Sequence, residues 1–207
     1  MQLNIAVFGS GRGSNFQAIL SAMTRGEIPD AHIRFVLSNN SSAGILELAR
    51  MNNIPALHMS RMQCASEEDF VDRLLFVLEE NDVNCIVLAG YMKKIPARVI
   101  HRFRNSIINI HPALLPKFGG DGMYGARVHE AVIASGEKFS GATVHLVDEE
   151  YDHGRVVLQK RVSVEPNETP ESLSAKVLEI EHEIFPKALR MLAEGKIIEH
   201  HNNVSVI

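Results

Sequence analysis

The chain has 207 residues, 45% of them hydrophobic, and its 21 lysines and arginines against 25 aspartates and glutamates give a formal charge of −4. That is enough apolar material to bury a full core in one domain, 1–207, and it lacks the basic excess of a module that grips nucleic acid through its phosphates. The apolar opening is too short for a signal peptide and no later run is long enough to cross a membrane; Cys64 and Cys85 lack metal-ligand spacing, so the composition predicts a cytoplasmic protein with an inert buried thiol at Cys85.

Residues 3–8 read as a buried strand, too brief for an amphipathic helix. Gly9-Ser10-Gly11-Arg12-Gly13-Ser14-Asn15 follows and leads into a helix with Phe16, Ile19, Leu20 and Met23 on one face. Such a loop brings backbone N–H groups to an anion at the positive end of the helix, with Ser14 or Asn15 able to cap it or donate to a phosphate. The glycines follow G-x-G-x-G, not G-x-G-x-x-G, and the second strand, 33–37, runs into Ser38-Asn39-Asn40 with no acidic residue for a ribose hydroxyl. A monophosphate fits this loop better than a dinucleotide.

A helix over 43–51 and a short strand over 56–58 come next, then a helix over 66–80 with Val71, Leu74, Leu75 and Leu78 at helical spacing and Ser66 placed to cap it against Asp69. A strand runs from 84 to Gly90, Pro96 opens a short helix, and Ile107, Ile108 and Ile110 mark a buried strand that Pro112 ends. Four glycines within 118–125 break all periodicity and predict a mobile loop. Beyond it the pattern predicts a helix over 126–134 with Val128, Ala131 and Val132 inward, then strands over 142–147 and 155–164 joined by the acidic turn 148–154. A final helix starts at Pro170 with Thr169 as cap, its buried stripe running through Leu173, Val177, Ile180 and Ile184 and leaving Glu181 at the border. Strands alternating with helices imply an α/β fold, a doubly wound, mainly parallel sheet with helices on both faces.

Asn109 and His111 stand two apart on one strand and so emerge on one face, near the end where open α/β sheets bind ligands. An amide can donate to a carbonyl oxygen that is becoming an oxyanion, and an imidazolium can supply a proton or a second donor, a pairing suited to acyl transfer. There is no G-x-S-x-G elbow and neither cysteine has a basic neighbour, so attack by a substrate amine or water is expected over a covalent enzyme intermediate. Asp152, before Gly154 in the acidic turn, is the carboxylate candidate to hold the imidazole charged, although Asp-x-Gly also forms turns for their own sake. No histidine and carboxylate cluster has metal-ligand spacing, and His200 and His201 read as a solvated tail.

Asn109-Ile110-His111-Pro112-Ala113-Leu114-Leu115-Pro116, Leu88-Ala89-Gly90-Tyr91-Met92 and Asp152-His153-Gly154 together resemble the signature of the tetrahydrofolate-dependent formyltransferases, over about 3–198. The N-terminal glycine loop narrows the resemblance to the phosphoribosylglycinamide formyltransferases. It implies transfer of a formyl group from 10-formyltetrahydrofolate to the amine of glycinamide ribonucleotide through a tetrahedral intermediate, without a metal. It implies Asn109 as oxyanion donor, His111 as acid or charged donor, and Asp152 as the group that raises the His111 pKa and shuttles a proton. Gly13, Ser14, Asn15 and Glu181 would hold the substrate's phosphate and ribose. Met92, Lys93, Lys94 and Ile95, with Val147, Asp148, Glu149, Glu150, Tyr151 and Asp152, would line the folate site alongside Asn109. Partners are then small molecules, not nucleic acid or membrane, and the protein a monomer or homodimer. Rival readings are a formyltetrahydrofolate hydrolase, an initiator-tRNA formyltransferase and a non-catalytic nucleotide-phosphate sensor; the first two usually carry an extra domain, for which this chain has no room.

Overall fold

The computed structural model describes residues 2–197 and the backbone of 205–206. In chain order the elements are β1 (Leu3–Phe8), α1 (Ser14–Thr24), β2 (Ala31–Ser38), α2 (Gly44–Met51), β3 (Ala56–His58), α3 (Glu67–Glu80), β4 (Cys85–Leu88), α4 (Ala97–Arg102), β5 (Ile107–His111), α5 (Ala126–Ser135), β6 (Phe139–Leu146), β7 (Val156–Ser163), α6 (Pro170–Ala193) and β8 (Ser205–Val206). The strands form one sheet in the order β3-β2-β1-β4-β5-β6-β7-β8. Pairings are parallel from β3 across to β5, antiparallel for β5 with β6 and β6 with β7, and parallel again for β7 with β8.

Alternation along β1 shows why both faces are covered. Ile5 and Val7 point into one core with Phe16 and Ile19 of α1, Ile45 and Leu46 of α2, and Val177, Ile184 and Phe185 of α6. Ala6 and Phe8 point into the other, with Phe70 and Leu74 of α3 and Val99 and Ile100 of α4. Strands apolar on both faces belong in the middle of a doubly wound sheet. Strand order reverses between β1 and β4, so the segments leaving their C-terminal ends diverge and open a crevice. The glycine loop and residues 89–95 both start there.

The predicted helix caps hold at Ser66, whose side chain accepts from the Asp69 N–H, and at Thr169, which forms a capping box with Ser172. Of the two roles open to Ser14 and Asn15, capping α1 or donating to a phosphate, the cap does not form. Gly13 is the N-cap of α1, in the left-handed region at φ 88°, without a side-chain bond. A Cβ there would come within 3.0 Å of Ile45, so both the backbone angle and the close approach of α2 call for glycine. β6 starts three residues before the predicted 142, because the apolar pattern does not register the edge positions that its pairing with β7 recruits. α6 runs through Pro186, a helix breaker by propensity; its burial with Phe185, Ala188 and Leu189 outweighs the lost backbone bond. β8 is a strand not expected from the sequence, two residues long beside β7, and His200 and His201 lie outside the described residues. Among the described residues no helix is long and apolar enough to cross a membrane. Cys85 is fully buried and burial pushes its thiol up to about 12, in keeping with an inert group.

Candidate active site

Strand β5 delivers Asn109 and His111 to the crevice, and its antiparallel partner β6 sets His145 opposite Asn109 and Thr143 opposite His111. Thr143 ties down the chain after β5: its hydroxyl donates to the Ala113 carbonyl at 2.6 Å and accepts from the Leu115 N–H at 3.1 Å. The Gln159 amide on β7 donates to both the Thr143 hydroxyl and the Leu115 carbonyl, at 2.9 Å and 3.1 Å. A rigid turn follows the two polar residues as a result.

The turn between β6 and β7 brings the carboxylate. Asp152 takes a left-handed φ of 56°, and Gly154 packs so closely that a Cβ would lie 1.8 Å from the Leu146 carbonyl oxygen. Asp152 then stands between the two strands. Its Oδ2 is 3.4 Å from His111 Nδ1 and accepts from the Gly120 N–H at 3.0 Å, while its Oδ1 is 3.4 Å from Asn109 Nδ2 and 3.5 Å from His145 Nε2.

Proton positions follow from the acceptors. His111 Nε2 is 2.8 Å from the Phe118 carbonyl oxygen, so that nitrogen carries a hydrogen and a second proton would sit on Nδ1, facing Asp152. His145 Nδ1 is 2.9 Å from the Leu146 carbonyl oxygen, which leaves Nε2 of the neutral ring to accept from Asn109 Nδ2 at 3.0 Å; in the charged ring that nitrogen carries a hydrogen toward Asp152 Oδ1 at 3.5 Å. Burial alone would lift the Asp152 carboxyl, but the His145 ring, the His111 charge and the Gly120 N–H together hold it below the usual carboxylate range. Burial pulls the His111 imidazole below its ordinary value; Asp152 and the Phe118 carbonyl pull it back up, and His145 adds to the fall. Asp152 thus gives the upward pull on the His111 pKa expected of it, while removing the ring from water outweighs that pull and sets the net direction downward.

The second pole lies at the start of α1. Asn15 Nδ2 donates to Glu181 Oε2 at 2.5 Å, joining α1 to α6. Both side chains are 8% exposed, and burial raises the Glu181 carboxyl to about 7 against the opposing Asn15 bond. Asn15 Oδ1 is buried without a partner. Ser10 links this loop to the segment after β4 by accepting from the Met92 N–H at 2.9 Å.

A cavity of about 670 Å³ joins the two poles, within the range that holds small-molecule ligands. Every site residue predicted from the sequence lines it except Glu149. That carboxylate is exposed and pairs instead with His101 Nε2 of α4 at 2.6 Å. Three participants were not singled out from sequence: His145, the Gly120 N–H, and His129 on α5, which is 4% exposed with an unpartnered Nδ1. His145 was readable as sharing a face with Thr143, but its pairing with Asn109 is a matter of register between strands 36 residues apart. Among the described residues no group of histidine, cysteine and carboxylate side chains is placed to hold a metal ion.

A mainly parallel sheet with a buried imidazole between a half-buried amide and a half-buried carboxylate, and a glycine loop at the switch point, defines an α/β protein equipped for acyl-group transfer. The chain belongs to the formyl transferase family, whose sequence profile matches residues 3–189. It is 41% identical over 203 residues to the chloroplastic phosphoribosylglycinamide formyltransferase of Vigna unguiculata, covering 98% of this chain and 65% of that one. Identity to the phosphoribosylglycinamide formyltransferase of Haemophilus influenzae is 37%, with 93% and 88% covered. The crystal structure of glycinamide ribonucleotide transformylase 1 from Symbiobacterium toebii superposes with a TM-score of 0.90 at 35% identity, covering 98% of this chain and 92% of that one. Within the family the chain groups with the phosphoribosylglycinamide formyltransferases.

Proposed function

We propose that this chain transfers the formyl group of 10-formyltetrahydrofolate to the amine of glycinamide ribonucleotide in purine biosynthesis. The observation that carries this reading is the convergence of Asn109, His111 and Asp152 at one pole of a cavity whose other pole is the N-terminus of α1 with Asn15 and Glu181. The first pole suits a carbonyl that gains negative charge, the second a sugar phosphate.

The donor's fit is supported by the wall between the poles. Met92 and Ile95 offer apolar surface, Lys94 lies 5.4 Å from the Tyr151 ring centroid, and Val147, Asp148, Glu150, Tyr151 and Asp152 border the same space. In the reaction a bond forms from the amine nitrogen to the formyl carbon, the bond from that carbon to the folate nitrogen breaks, and the proton lost by the amine ends on the folate nitrogen. Asn109 has one N–H committed to His145 and spends the other on a long 3.4 Å contact with Asp152; that second hydrogen is the one to turn toward the oxyanion. A second proton, taken up from solvent before the reaction and held on His111 Nδ1 against Asp152, makes the ring a positive charge that stabilises the developing oxyanion and is still in place when the products leave. Asp152, held ionised, receives the amine's proton and returns it to the departing nitrogen. The whole chain acts as one domain, the N-terminal half holding phosphate and the C-terminal half folate, on two diffusible substrates in the cytoplasm, as a monomer or homodimer without metal, nucleic acid or membrane.

The test is incubation of pure protein with 10-formyltetrahydrofolate, with and without glycinamide ribonucleotide. Release of tetrahydrofolate only when the amine is present is expected; release without it would establish hydrolysis instead, and none at all would leave a binding protein. Truncation to Asn109→Ala is expected to lower kcat ~10²–10³-fold, and His111→Ala ~10²–10⁴-fold. Near-native turnover in either would remove that residue from the mechanism.

A further inference from the structure

The glycine loop carries one cationic side chain, Arg12, to which neither the sequence signature nor the mechanism above gives a task. The loop's backbone is fixed from behind by the start of α2. The Ile45 N–H donates to the Gly11 carbonyl at 3.1 Å, and a Cβ on Gly44 would come within 3.3 Å of the Arg12 backbone. With that side closed, Arg12 forms part of the cavity wall. It is exposed, and among the described residues no ion pair or hydrogen bond engages its guanidinium. An unpaired arginine in such a wall stands ready for an anion.

Two further features define that anion's carrier. The first turn of α1 holds no acidic residue and no side-chain cap, and the Gly13 carbonyl accepts from Gln17, so the N–H groups of Ser14, Asn15 and Phe16 have no acceptor within the helix. Beside them the buried Asn15 Oδ1 has no partner and adjoins the buried Glu181 carboxyl. A buried carbonyl oxygen without a partner, beside a carboxyl that lines the cavity, calls for a hydroxyl donor. Open N–H groups and a cation next to hydroxyl-seeking acceptors match a phosphorylated sugar.

We propose that Arg12 is the residue that selects for the phosphate of the sugar-phosphate substrate, its guanidinium closing on the phosphate oxygens that the α1 N–H groups hold. The inference rests on the reading of this pole as the substrate's, and adds to it a side chain that sets how strongly the phosphorylated form is preferred. Arginine offers two parallel donors to phosphate where lysine offers a point charge.

The experiment is calorimetric titration of the full chain, as wild type, Arg12→Ala and Arg12→Lys, with ribose 5-phosphate and with ribose. The expected result is a loss of ~10-fold or more in ribose 5-phosphate affinity for Arg12→Ala, an intermediate loss for Arg12→Lys, and no difference among the three toward ribose. In steady-state formyl transfer the loss falls on KM for glycinamide ribonucleotide, not on KM for the folate. Unchanged ribose 5-phosphate affinity in Arg12→Ala, equal losses toward ribose, or no binding of ribose 5-phosphate by the wild type would overturn the assignment. Arginine-dependent binding of ribose 5-phosphate by a wild type that transfers no formyl group would sink the proposed reaction and leave this inference standing. Matching thermal melts of the three proteins separate these results from misfolding.

Discussion

At the scale of the residue, the site depends on opposed effects at two side chains. Burial depresses the His111 imidazole and the Asp152 charge resists, so the ring titrates lower than a solvated histidine. Replacing Asp152 with asparagine keeps the shape and removes the charge. The His111 pKa is then expected to fall further, followed by NMR titration of the ring, and kcat to fall at least ~10²-fold. A rise in that pKa would mean Asp152 is not the group that favours the charged ring. Asn109, His111 and Asp152 were legible because a period-two pattern, a proline stop and an Asp-x-Gly turn are local signals, and because the motifs resemble a known family. His145 was not legible as a partner of Asn109. Its role arises from cross-strand register, which no local signal encodes.

At the scale of the element, turns and loops place what strands present. Gly154 has no room for a side chain: a Cβ would lie 1.8 Å from the Leu146 oxygen and 2.8 Å from its carbon, both backbone atoms that cannot step aside. Gly154→Ala therefore has to open the β6–β7 turn and shift Asp152. It is expected to lower both the urea midpoint and kcat. Ser66→Ala supplies the contrast, since it removes a cap on α3 far from the cavity wall; stability should fall by about 1 kcal/mol with kcat unchanged. Equal catalytic effects from the two variants would show that the turn has no special hold on the carboxylate. The segment following β5 acts in the same sense, with the Phe118 carbonyl on His111 and the Gly120 N–H on Asp152. The glycine content of that segment announced a loop but not these two contacts, which depend on where the turn at 148–154 docks.

At the scale of the whole molecule, the Asn15–Glu181 bond joins residues 166 positions apart and ties the first helix to the last. Glu181 titrates at about 7 when folded and near 4.5 when unfolded. A raised folded pKa means the unfolded chain loses this proton first, so the contribution is full below about 4.5 and is lost as pH rises through about 7. Glu181→Gln should remove that dependence: thermal melts of the wild type should fall relative to the variant between pH 5 and pH 8, and parallel curves would refute the assignment. The sequence by itself determined the α/β class, the strand over 3–8, the caps at Ser66 and Thr169, and the face shared by Asn109 and His111, because each follows from periodicity or turn chemistry within a few residues. Only the tertiary structure decided that Glu149 turns away, that α1 keeps its N–H groups free of a side-chain cap, that α6 continues through Pro186, and that the His111 ring is pulled below its ordinary pKa. The physical reason is common to all four. Each depends on what distant parts of the chain exclude from water or press against, and burial and register are properties of the packed molecule.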